Sequence, residues 1–129
     1  MLSAGLHLSG LWPPFREAVR YLQAWTQYYN LTGHISSGFR TSVQQEALYR
    51  LGRTLREIAQ RVSKKLGVGG VVTNAPPGTS AHNYGLAVDI EGPDQRAILD
   101  LARQIGFGTI EDDPGHINWP GWRSLISSG

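Results

Sequence analysis

Four histidines occur in the chain, and two of them, His82 and His116, stand beside carboxylates in glycine- and proline-rich sequence. The first cluster reads Ser80-Ala81-His82-Asn83-Tyr84-Gly85-Leu86-Ala87-Val88-Asp89, and the second Asp112-Asp113-Pro114-Gly115-His116-Ile117-Asn118-Trp119. An imidazole at a loop end and a carboxylate seven residues on can converge if Gly85 lets the chain turn and a strand follows. Leu86 and Val88 then face the core, while Ala87 and Asp89 face the site. Asp89 lies in the apolar run Leu86 to Ile90, where a carboxylate is costly to bury unless a cation or donors neutralise it. A metal ion is one such cation.

The second cluster adds His116 as a third ligand, with Asp113 three residues before it. Zinc enzymes commonly use three protein ligands and keep the fourth tetrahedral position for water. Such a site acidifies the water and polarises a scissile carbonyl. Asp113, tethered near a ligand without being needed as one, suits the general base that takes the water's proton and passes it to a leaving amine. Each residue also has a plainer reading. A histidine beside a strand is often only hydrogen-bonded, and Asp113 before Pro114 can simply cap a turn. On the residues alone, both readings stay open.

The elements that must position these groups follow from pattern. Trp12-Pro13-Pro14 opens a helix through about Asn30, with Phe15, Val19, Leu22, Trp25 and Tyr29 as its apolar stripe. His34 to Arg40 is a short strand whose end delivers Arg40. Thr41 or Ser42 caps a second helix with Val43, Ala47, Leu48 and Leu51 turned inward. Leu55 to Leu66 suggests further helical turns, Val71 to Thr73 a strand, and Asn74 to Thr79 a loop. Gly85 to Ile90 is another strand. Pro93 opens a helix carrying Ile98, Leu99, Ala102 and Ile105, which Gly106 stops. Phe107 to Gly129 is expected to be short strands and loops. This mixture, without regular βαβ alternation, argues an α+β fold.

The 129 residues suit one domain, expected to span 1–129, with an ordinary apolar share of 40%. The absence of cysteine excludes disulfides, a Cys-type zinc finger and a thiol nucleophile, so any metal needs nitrogen and oxygen ligands. Net charge is only +2, yet Arg50, Arg53, Arg56, Arg61, Lys64 and Lys65 make up half of the twelve basic residues. That run reads as a solvated helix face or as a patch that attracts polyanions. No nucleic-acid motif accompanies it, so no nucleic-acid partner is expected. No apolar stretch approaches the ~20 residues that span a bilayer, so no stable membrane insertion is expected. The start of the chain, MLSAGLHLSGLWPPF, makes a poor secretory signal.

The sequence closely resembles the family of zinc D,D-carboxypeptidases and L-alanyl-D-glutamate endopeptidases, which includes phage endolysins. Its S-x-H-x-x-G-x-A-x-D motif is filled by Ser80, His82, Gly85, Ala87 and Asp89, and its carboxylate-x-x-His by Asp113 and His116. Ser37-Gly38-Phe39-Arg40-Thr41, with Gln45, Leu48 and Tyr49, answers to the upstream S-G-[FY]-R-[ST] strand end and helix. The resemblance implies a small antiparallel sheet flanked by helices, the fold shared by D,D-peptidases and the hedgehog domain. It also implies Zn²⁺ on His82, Asp89 and His116, with Asp113 as base. Arg40 resembles the family arginine that steadies the substrate carbonyl, its alternative being a salt bridge to Asp89. Ser80 is expected to donate to substrate or ligand, or merely to shape the loop. Trp119 and Trp122 are expected to line a substrate groove, to pack in the core or to anchor a loop.

The stretches around Tyr49, Val72-Thr73-Asn74-Ala75 and His82 look more like the L-alanyl-D-glutamate endopeptidases than the dipeptidases. In many relatives Gly-Arg-Thr and Val-Thr-Asn-Ala are joined by a short link, whereas this chain carries Leu55 to Val71 there. The expected activity is hydrolysis of the peptidoglycan stem peptide, most readily at L-Ala-D-Glu, by a monomer made in a host cytoplasm and acting on the wall after release. The alternatives are a D,D-carboxypeptidase removing terminal D-Ala and a non-catalytic, zinc-containing wall-binding module. His7 and His34, lacking partners at metal spacing, are expected to be structural or surface residues.

Overall fold

The computed structural model describes residues 1–41, 43–44 and 80–127. Two consecutive prolines start helix α1, Pro13–Tyr28, where their missing N–H groups cost nothing. Phe15, Val19 and Leu22 on its inner face are fully buried, each worth roughly 1.5–3 kcal/mol of apolar burial. The stripe then departs from expectation. Thr26 is buried, whereas Tyr29 lies outside the helix and is exposed beside Tyr21, Tyr28 and a half-buried Trp25. A helix has 3.6 residues per turn, so Phe15, Val19, Leu22 and Thr26 keep one face and the aromatic row drifts off it.

Thr26 is inside because a strand edge needs its hydroxyl. Strand β1, Leu2–Ser3, forms one edge of the sheet. The Leu2 N–H donates to Thr26 Oγ1 at 2.8 Å, and Gln23 Nε2 donates to the Leu2 carbonyl, also at 2.8 Å. Thr26 Oγ1 in turn donates to the Gln23 carbonyl at 2.7 Å. Polar side chains of α1 thus satisfy a strand edge that would otherwise be left with open main-chain groups.

The remaining strands are β2 (Gly33–Ser37), β3 (Ala87–Glu91), β4 (Gly108–Thr109) and β5 (His116–Asn118). Sheet order is β1-β2-β3-β5-β4, antiparallel throughout except for the parallel β1–β2 pair. Helix α2, Gln95–Ile105, buries Ile98, Leu99 and Ala102 and ends at Gly106, and the short α3 covers Trp122–Ser127. The fold is therefore α+β, a five-stranded sheet flanked by helices. The tail is not only strands and loops as expected: α3 forms there, with Trp122 buried. Its few residues are too short a window for helical periodicity to stand out among the prolines and glycines.

β3 is the central strand, flanked by β2 and β5. Along it Leu86, Ala87, Val88 and Ile90 are buried on both faces, with Asp89 partly so. Between Ile35 and Ser37 the β2–β3 register slips, so Ser37 rather than Ser36 stands opposite Asp89. This bulge puts one extra residue into β2 just before the segment that carries Gly38 and Arg40. Thr41 caps the next turn as expected: its Oγ1 accepts the Gln44 N–H at 3.1 Å, and Gln44 Oε1 accepts the Thr41 N–H at 2.9 Å. Val43, expected to face inward, is exposed in this first turn. The rest of the expected second helix, the turns at 55–66, the basic run, the strand at 71–73, the loop at 74–79, and Gln45, Leu48 and Tyr49 lie outside the described residues.

Replacing Thr26 by Val keeps the shape but leaves the buried Leu2 N–H without its acceptor. Urea unfolding of Thr26→Val is expected to show a loss of about 1–3 kcal/mol with an unchanged m-value, and Thr26→Ser a smaller one. Equal stability of Thr26→Val and the unmodified protein would show that the helix does not secure β1.

Candidate metal centre

The register of β3 against β5 sets Asp89 directly opposite His116. His82 comes from a short 3-10 turn, Ala81–Tyr84, that runs into β3. Ser80 shapes that turn: its Oγ accepts the His82 N–H at 3.2 Å, while Asn83 Oδ1 accepts the Ser80 N–H at 3.3 Å. Gly85 closes it at φ 69°, and a Cβ there would run into the backbone of Gly10 and Trp12. Only glycine meets both conditions cheaply. The expected convergence of His82 and Asp89 through a turn at Gly85 is thus what forms.

Three side-chain atoms meet at the centre. Asp89 Oδ1 lies 3.3 Å from His82 Nε2 and 3.6 Å from His116 Nδ1. The three donor atoms fall within 4.8 Å of one another. Each is buried, and each is without a hydrogen-bond partner among the described residues. Unsatisfied buried polar atoms are rare and costly, and three pointing at one spot call for a shared partner. Zinc bonds of ~2.0–2.1 Å at the tetrahedral angle separate ligand atoms by ~3.3 Å. The two measured separations are close to that edge. The donor set of two imidazoles and one carboxylate also suits zinc.

The surrounding contacts hold this arrangement. The His82 Nδ1–H donates to the Gly38 carbonyl at 2.8 Å, which leaves the Nε2 lone pair aimed at the centre. Asp89 Oδ2 accepts from Arg40 Nη2 at 3.2 Å, so the carboxylate turns only Oδ1 inward. Burial opposes ionisation of Asp89, but the adjacent imidazoles of His116 and His82 and the Arg40 charge hold its carboxyl well below the usual carboxylate range. The Arg40 guanidinium is itself lowered by burial, against Asp89 and Asp113, and stays cationic. Asp113 behaves oppositely to Asp89. Partial burial and the charge of Asp89 raise its carboxyl above the ordinary value, only partly offset by His116, His82 and Arg40.

Every residue of the two motif clusters is thereby located. His82, Asp89 and His116 come together, and Asp113 Oδ2 stands 3.7 Å from His116 Nδ1 with its side chain half exposed. Arg40 makes the salt bridge to Asp89 that was the alternative to substrate contact. The Ser80 hydroxyl is engaged with the main chain of the loop. Trp119 is partly buried and packs against the core, edge-on to Trp12 at 5.0 Å and to Phe15 at 6.5 Å. His7 and His34 are exposed, as expected, with His34 Nε2 3.6 Å from Glu91. Two participants were not foreseen, the Gly38 carbonyl and Asn118, whose Nδ2 lies 2.9 Å from His116 Nε2. Asn118 was detectable in principle, because residues two apart on a strand share a face.

Fold and site together define an α+β scaffold whose His82, Asp89 and His116 are placed to hold a metal ion. The VanY family, D-alanyl-D-alanine carboxypeptidase, matches residues 10–113, and the chain belongs to that family. The peptidoglycan L-alanyl-D-glutamate endopeptidase CwlK of Bacillus subtilis (strain 168) is 38% identical over 69 residues, which is 52% of this chain and 34% of that protein. The chain thus spans about a third of the length of that curated relative. Among solved structures it is similar to a variant of the vancomycin-resistance D,D-pentapeptidase VanY from a VanB-type cassette, in complex with Zn(II) (TM-score 0.65, 18% identity, 91% of this chain and 76% of that one). It is also similar to the LdcB LD-carboxypeptidase (TM-score 0.61, 17% identity, 91% and 62%). At these identities the structural likeness is one of fold.

The geometry sets an expectation for metal uptake. Titration of the metal-free protein with a divalent transition metal should give one site per chain by calorimetry. Asp89→Ala should weaken it about 100-fold or more, beyond the usual cost of losing only a ligand's supporting partner. Undiminished binding by Asp89→Ala would place the metal elsewhere.

Proposed function

We propose that this protein is a zinc-dependent peptidase that hydrolyses the L-Ala-D-Glu bond of the peptidoglycan stem peptide, in the service of cell-wall degradation. The observation that carries the reading is the convergence of three orphaned ligand atoms, on His82, Asp89 and His116, beside a fourth group, Asp113, suited to proton transfer. When bound, zinc supplies Lewis-acid polarisation of the scissile carbonyl and acidifies water at its open position.

The chain's own residues do the rest. Asp113 accepts the proton of the attacking water and returns it to the departing amine, a role aided by its raised affinity for protons. Arg40, held in place by Asp89 and by Nε donation to Ser37 Oγ at 3.2 Å, supplies a fixed positive charge beside the developing oxyanion. Asp89 stays ionised throughout and never competes for that proton. The choice of L-Ala-D-Glu draws support from the similarity to CwlK. The family's description supports a second reading, removal of terminal D-Ala.

Purified muropeptides, digested with and without a chelator and analysed by mass spectrometry, separate these readings. The expected result is cleavage between L-Ala and D-Glu that stops on chelation and returns with zinc. Release of free D-Ala would support the carboxypeptidase instead, and no hydrolysis of any muropeptide by the zinc-loaded protein would support a wall-binding module. Asp113→Ala is expected to lower kcat about 10²–10⁴-fold while binding zinc normally. Full activity in that variant would remove Asp113 from the reaction.

A further inference from the structure

A neutral imidazole carries one ring proton, so the partner of one nitrogen decides whether the other has a lone pair to offer. The two histidines of the centre differ in how that is decided. The partner of His82 Nδ1 is the Gly38 carbonyl, an atom that can only accept, so the proton is fixed on Nδ1 and the lone pair on Nε2. The partner of His116 Nε2 is the carboxamide of Asn118, at 2.9 Å, and a carboxamide presents a donor on one side and an acceptor on the other.

In the structure Nδ2 faces the ring. That contact suits a ring with its proton on Nδ1, the tautomer able to point a donor at Asp89 Oδ1, 3.6 Å away. A metal on Nδ1 demands the reverse: the proton moves to Nε2, and Nε2 then needs an acceptor. A half-turn of the carboxamide brings Oδ1 to the same place. The site is built for that group. Asn118 is buried on β5, on the same face as His116, and the facing residue on β4 is Gly108. A Cβ at position 108 would overlap the Asn118 side-chain oxygen. The absence of a side chain there leaves room for the carboxamide against the strand.

We propose that Asn118 is a positioning residue of the metal centre: its Oδ1 accepts the His116 Nε2–H, and this fixes the tautomer in which Nδ1 can bind the metal. The inference rests on the reading that the centre holds zinc. It makes the two imidazoles complementary in design, one set by a main-chain acceptor and the other by a carboxamide able to satisfy either tautomer. His116 is therefore hydrogen-bonded with or without metal, and the change between states costs a side-chain rotation rather than an unpaired group.

The test combines nitrogen-15 NMR of the histidine rings with zinc affinities measured by competition against a chromophoric chelator. In the unmodified zinc-loaded protein, His116 should show a proton-bearing Nε2 and a metal-shifted Nδ1. Asn118→Leu, similar in size and without an acceptor, should lose zinc affinity about 10–100-fold, the usual range for removing a ligand's supporting partner. Asn118→Asp keeps an acceptor at that position and should bind zinc within about threefold of the unmodified protein, with the same tautomer. An unprotonated His116 Nε2 in the zinc-loaded protein would overturn the inference, and that measurement needs no variant to fold. So would unchanged affinity in a folded Asn118→Leu, or an equal loss in Leu and Asp variants. Failure of the unmodified protein to take up zinc would instead refute the metal reading itself, and with it the role given to Asn118.

Discussion

A carboxylate on the central strand of a sheet is the constraint around which this molecule is arranged. Asp89 sits on β3 between β2 and β5, among residues buried on both faces. An isolated buried charge would be prohibitive, and removing one partner from such a cluster typically costs ~3–5 kcal/mol. Its partners come from three directions. Arg40, just beyond the end of β2, takes Oδ2, His116 on β5 faces Oδ1, and His82, on the turn into β3, faces the same oxygen. The division matters chemically. Because Arg40 occupies one oxygen, the other is presented singly, as a metal ligand should be.

The two segments that supply Arg40 and His82 are far apart in sequence but tied together by main-chain and amide contacts. The Arg40 N–H donates to the His82 carbonyl at 3.0 Å, and Asn83 Nδ2 donates to the Arg40 carbonyl at 3.0 Å. The Gly38 carbonyl closes the set by accepting from His82 Nδ1. A motif that reads as Ser-Gly-Phe-Arg is therefore half main chain in its function. Its glycine contributes a carbonyl and its arginine contributes both charge and backbone. Ligands fixed in this way need little reorganisation to bind a cation, which favours affinity and geometry alike.

The three converging residues stood out in the sequence because each broke a local rule. A carboxylate inside Leu86 to Ile90 and a histidine beside a carboxylate in a loop are both expensive without a reason. Helix α1 was legible from its paired prolines and its apolar spacing. Thr26 was not, since a polar residue enters an apolar face only when a distant strand, here β1, supplies its partner. The β2 bulge was equally hidden, being a property of pairing between segments more than fifty residues apart. The salt bridge of Arg40 and the carboxamide of Asn118 belong to the same class. Both residues were visible, but the group each one faces is set by tertiary register.

Two carboxylates within reach of one pair of histidines could have been redundant, and their surroundings make them different. Asp89 is deep, hydrogen-bonded and paired with a guanidinium, so its proton affinity falls. Asp113 is partly desolvated and also lies under the repulsive field of Asp89, so its proton affinity rises. Environments that push two acids apart are the usual way a site divides structural from proton-transferring roles. A module that only held a metal would need the first carboxylate and gain nothing from the second. On the proposed reading, Asp113 beside the converging ligand atoms is what would distinguish a hydrolytic centre from one that only holds a metal.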